Sequence, residues 1–185
     1  MSDTNSLARS LHDLGLAAWF GGSLMGAIGL NGAAAKITNP RERAKIARQG
    51  WKDWAPVNAI AIGAHLAGGA VILGANKSRV VTQSGVKAAT TAKTAVTVAA
   101  IGATAAAGYF GRQLDREEVN APVAGATEPS GQTPDAIAKA QQALRPLQWA
   151  IPVLTGTILV LSARMGEQQR PSEVSSGILR RVLPD

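Results

Sequence analysis

No charged side chain interrupts residues 14–35, between Asp13 and Lys36, and this restricts the chain more than any other feature. Such a run matches the roughly 20 apolar residues that cross a bilayer as helix. Inside hydrocarbon the backbone must satisfy its own hydrogen bonds, so helix is the expected form. Similar apolar runs recur at about 54–76, 90–111, where Lys93 near the start is expected to snorkel to the interface, and 146–165, and the first extends to about 12–35 when its polar ends are included. The expectation is an all-α integral membrane four-helix bundle, a single membrane domain over residues 1–185, with a flexible loop at about 117–133 and a polar tail at 166–185. Its first partner is the lipid bilayer.

A mean hydropathy of only +0.07 conceals this pattern, because the charges are clustered and alanine and glycine fill much of the spans. Small residues lower hydropathy while allowing close helix approach in lipid. A formal charge of +7 would point to nucleic acid in a soluble chain. Here the basic residues flank apolar spans, where they set topology and meet anionic headgroups, so no nucleic-acid partner is expected. Absence of cysteine removes disulfides, thiolate metal sites and cysteine nucleophiles. Ala33 and Ala35 have signal-peptidase spacing, but the apolar run is longer than an ordinary signal core and only Arg9 precedes it; an uncleaved first helix is expected.

Lys36, Arg41, Arg43, Lys45, Arg48 and Lys52 crowd the connection 36–53. Short basic loops stay inside, so this connection is expected to be cytoplasmic and both termini outside, in a multi-pass cell-membrane protein. Asn39-Pro40 predicts a short surface helix, and Trp51 and Trp54 are expected at the headgroup boundary. Thr133-Pro134-Asp135 predicts an interfacial helix leading into span four, with Pro146 and Pro152 as kinks. The tail segment 178–183 has the composition to lie on lipid.

Gly22-x-x-x-Gly26 offers a surface for close helix packing. Asn31 lies five residues before Lys36 and Asn58 five after Asp53, so they are expected at similar depths on adjacent antiparallel helices, where a hydrogen bond between them would register spans one and two; Gln148 enters span four on the same side. His65 falls near the centre of span two and should point inward. Thr104 and Thr155, with Tyr109 nearby, complete a candidate intramembrane polar site. On the same register His12 lies about 15 to 18 Å from the depth of His65, at 1.5 Å per residue, which excludes one iron held by both within one chain. No catalytic constellation, metal site or cofactor is expected: the spans carry no carboxylate, and two histidines without cysteine do not make a zinc site.

Residues 54–66, 92–104 and 165–171 resemble a group of uncharacterised actinobacterial four-span membrane proteins, a resemblance that covers the whole chain. It implies the four-span fold and no activity. Separately, Leu11-His12-Asp-Leu-Gly-Leu-Ala-Ala-Trp19-Phe-Gly-Gly22 is similar to the first span of copper-resistance D-type membrane proteins and HemJ-type protoporphyrinogen oxidases. That similarity covers one helix, and the further ligand residues of those families do not line up here. The expected role is non-enzymatic, through helix–helix contacts, as an accessory or assembly partner of a membrane protein or as a small homo-oligomer. The alternative is a small transporter or cofactor-binding membrane enzyme with a polar site around His65.

Overall fold

The computed structural model describes residues 3–82, 84–116 and 121–167. The tail segment expected on lipid lies outside them. Helix α1, Asp3–Met25, continues through a π turn, Gly26–Leu30, into α2, Asn31–Ala35; then come α3, Pro40–Ala75, α4, Lys77–Thr82, α5, Ser84–Arg116, and α6, Asp135–Glu167. The runs Asn5–Ala35, Pro40–Ala75, Gly85–Asp115 and Asp135–Gly166 are each long and apolar enough to cross a membrane. The chain is therefore a multi-pass membrane protein built as an all-α four-helix bundle. α1 packs along α3, α5 along α6, and α1 also meets α6, whereas no extensive contact joins α3 to α5. That last pair stands apart and leaves a cleft.

The reversal between the first two spans is much tighter than the basic cluster suggested. Residues 36–39 make the whole turn, because Asn39 caps α3 by accepting from the Arg41 amide at 3.1 Å and Pro40 takes the first helical position. α3 then runs unbroken for 36 residues, through both tryptophans and Pro56, so the expected separate surface helix does not exist. Charged residues do not end a helix; they only mark where it leaves lipid. Moving the turn shifts the pairing of α1 and α3 by about three helical turns from the expected register.

Every contact between these helices follows the new register. The Trp54 indole lies where a side chain on Gly22 would stand, and the Trp51 indole does the same at Gly26. Thus Gly22-x-x-x-Gly26 receives two rings of α3. The core beside this seam holds Leu16, Trp19, Ala100, Ile151 and Ile158.

Asn31 does not meet Asn58. The π turn adds about 100° of rotation for its extra residue and leaves Asn31 buried, where it accepts from Trp51 Nε1 at 2.9 Å and donates to Gln148 Oε1 at 2.6 Å. Asn58, at the level of Trp19, keeps its side-chain oxygen buried without a partner.

The segment expected as a flexible loop is folded over 121–133. Val123 and Ala124 carbonyls accept from Arg43, the Val123 amide donates to the Pro40 carbonyl, and Gln141 donates to the carbonyls of Gly125 and Ala126. Ala121, Val123 and Ile137 form a second small core against Ala44 and Leu114. Arg48 pairs with Asp115 at 3.0 Å on the same end. α6 likewise starts behind Pro134 and continues through Pro146 and Pro152, so the expected interfacial helix and the fourth span are one helix.

Candidate functional site

His12 and His65 lie together. Their rings stack with centroids 4.0 Å apart and planes 17° from parallel. A reversal spread over residues 36–53 would hold them about 15 to 18 Å apart in depth; with the turn at 36–39, position 65 lies opposite position 12.

A repeated pattern explains why the helices approach so closely there. Ala8-x-x-x-His12-x-x-Gly15 on α1 and Ala61-x-x-x-His65-x-x-Gly68 on α3 share one spacing. A side chain on Gly15 would collide with the Ala61 carbonyl and come within 2.7 Å of the His65 amide nitrogen. One on Gly68 would collide with the Ala8 carbonyl and come within 2.7 Å of the His12 amide nitrogen. The two helices therefore cross with local two-fold pseudosymmetry, each glycine admitting the partner backbone and each histidine reaching across it.

Hydrogen bonding assigns the tautomers. His12 Nδ1 is 2.8 Å from the His65 carbonyl, and His65 Nδ1 is 2.9 Å from the His12 carbonyl. Carbonyl oxygens only accept, so both rings carry hydrogen on Nδ1. His12 Nε2 lies 2.7 Å from Lys93 Nζ and accepts from the ammonium, which makes His12 a neutral imidazole. Trp19 meets the His65 ring edge-on at 6.3 Å and donates from Nε1 to Thr104 Oγ1 at 3.2 Å. The site thus joins α1, α3 and α5 in one buried polar group.

Of the residues expected around His65, Thr104 is connected to it through Trp19. Thr155 is fully buried and donates to the Ile151 carbonyl of its own helix at 2.8 Å. Tyr109 is 54% exposed and accepts from Gln113 at 2.9 Å. Lys93, expected to snorkel to the interface, bonds His12 instead, and His12, expected to be too distant, stacks on His65. The repeated alanine–histidine–glycine spacing was the available signal for His12; nothing in the sequence singled out Lys93.

The site forms one wall of a cavity of about 280 Å³ in the cleft between α3 and α5. Leu66, Leu73, Val98 and Ile101 make much of its surface; Lys93 and both histidines are its polar wall, and Asn76, Thr90, Thr94 and Thr97 also line it. As a metal site the donor set is poor. Both Nδ1 atoms are engaged by carbonyls, Lys93 engages His12 Nε2, and no group of three histidines or acidic residues gathers among the described residues. Bis-histidine haem ligation also fails on shape, since axial imidazoles stand on opposite faces of the macrocycle and these two rings touch. The arrangement can hold a polar head group against an apolar wall.

No family model matches the chain, and neither a curated protein nor a solved structure matches it.

Proposed function

We propose that this membrane protein binds a small molecule drawn from the bilayer into the cleft between α3 and α5, with His12, His65 and Lys93 as its polar wall. The observation that carries this reading is the convergence of Lys93, His12 and His65, with Thr90 and Thr94 beside them, on a largely apolar cavity between two long helices that do not close on each other. Concave, mostly apolar sites with a few convergent polar groups are the usual form of small-molecule sites. Trp19 and Thr104 stiffen the wall from behind.

The test is small-molecule mass spectrometry of protein purified in mild detergent, comparing the wild type with Ala70→Trp. Ala70 is exposed and lines the cavity, so an indole there occupies ligand space without invading the core. A compound retained near one per chain and reduced about tenfold or more in the variant, a loss of about 1.4 kcal/mol, is the expected result. Equal retention in both proteins would sink the reading.

A second reading, an accessory or assembly partner acting through helix contacts, is favoured by α5. Only 6% of its apolar window is buried, and Ala88, Ala92, Ala95, Ala99 and Gly102 form an exposed small-residue stripe along it. Such surfaces suit a neighbouring membrane helix. The same preparation discriminates: a stoichiometric protein partner without a bound small molecule favours assembly.

For topology we infer that the turn at 36–39 faces the cytoplasm, from the six basic residues beside it. Lys45 is exposed and suits a single-cysteine probe in this cysteine-free chain. Lys45→Cys should resist an impermeant maleimide in whole cells and react after permeabilisation; labelling of intact cells would invert the assignment.

A further inference from the structure

We infer that the cavity takes a single-chain carboxylate, its head on Lys93 and its chain along the α3/α5 cleft. This rests on the ligand-binding reading above and adds the chemical class.

The argument begins with charge. An ammonium group has three N–H bonds, and Lys93 spends one on His12 Nε2. His12 is neutral, so that bond compensates no charge. The ion pair of Arg48 with Asp115 lies at the opposite end of the bundle. Asp13 is near enough to Lys93 to act on it through space but does not pair with it. A cation on an apolar wall without a paired anion is costly, and a ligand that brings an anion relieves that cost. Thr90 and Thr94 flank Lys93 on α5 and line the same cavity, adding hydroxyl donors for a second oxygen.

Valence and volume then choose the ligand. A carboxylate carries one negative charge, matching one ammonium, whereas a phosphate monoester carries about −1.5 to −2 at neutral pH and would leave charge unpaired in apolar surroundings. The cavity, near 280 Å³, lies just below the roughly 300–1,000 Å³ of ordinary small-molecule sites, so it has room for one chain rather than two. Leu66, Val98 and Ile101 supply apolar contact for that chain.

The experiment places the full protein in phosphatidylcholine nanodiscs and titrates decanoate labelled with ¹³C at its carboxyl carbon. Methyl decanoate and decyl phosphate serve as competitors. Saturable binding near one per chain is expected, with no competition from the ester, weak competition from the phosphate, and a loss of about tenfold or more in Lys93→Met. Ala70→Trp should abolish binding. Absence of decanoate binding, equal competition by the ester or the phosphate, or undiminished affinity in Lys93→Met would each overturn the inference. Binding of both acid and ester that is lost in Ala70→Trp would remove the carboxylate while leaving a bilayer-fed ligand site. Binding indifferent to Ala70→Trp would bring down both readings. The comparison of acid with ester uses the wild type alone, so it decides even where Lys93→Met does not fold.

Discussion

Gly68→Leu should separate α1 from α3 while Gly21→Leu, the same substitution on the neighbouring helix, leaves the bundle intact. At Gly68 a new Cβ would collide with the Ala8 carbonyl and stand 2.7 Å from the His12 amide nitrogen, both parts of a rigid helix backbone. Side-chain rotation cannot relieve that clash, so the helices must move apart. Overpacking alone costs about 1–3 kcal/mol. Separation would also break the two imidazole–carbonyl bonds across the seam, at about 1 kcal/mol each, for a total of about 3–5 kcal/mol. Gly21 has open space where its side chain would be and should change stability by about 0.5 kcal/mol or less. Equilibrium unfolding in mixed detergent micelles reads both; equal stability of the two variants would contradict the close crossing.

His12→Ala and His65→Ala should each destabilise strongly yet couple weakly. Each substitution removes a buried ring, a hydrogen bond to the opposite backbone and the stacking contact, for an expected loss of about 2–4 kcal/mol. The bonds run from ring to backbone, however, so deleting one ring leaves the acceptor of the other in place. Only stacking is shared between the two side chains, and the double-mutant coupling should be about 0.5–1.5 kcal/mol. Coupling near the full cost of a single substitution would mean that the rings bond each other and would refute the tautomers assigned above. His12→Ala also removes the acceptor of Lys93, so it should exceed His65→Ala in its effect on any anion held in the cleft.

These expectations bear on the functional readings in different ways. The pair of histidines fastens α1 to α3 at their closest approach, which is a structural duty. Lys93 has no comparable duty beyond its bond to His12, and it faces the cavity. A substitution that leaves stability near wild type while abolishing retention of a small molecule would therefore separate binding from folding. Lys93→Met is the variant placed to do so.

Most of the architecture is legible in the order of residues. Long apolar runs with few charges mark four spans because a buried charge in hydrocarbon is costly, and absence of cysteine removes whole classes of chemistry. Asn39-Pro40 marks the start of α3, and the proximity of Asn31 and Gln148 follows from their position near one end of their spans. The site itself was decided by tertiary structure. Its geometry depends on where α1 and α3 pair, and charges mark the edge of lipid rather than the end of a helix. A four-residue turn in place of a long basic connection brings His12 to His65, sends Asn31 to Trp51 and Gln148, and fills the Gly22 and Gly26 surface with indoles. The folding of 121–133 is partly non-local, because Arg43 from α3 satisfies its carbonyls together with Gln141 from the helix that follows it. A pattern along one helix specifies which face is small or polar; only the turn length and the π turn after Met25 specify what that face meets.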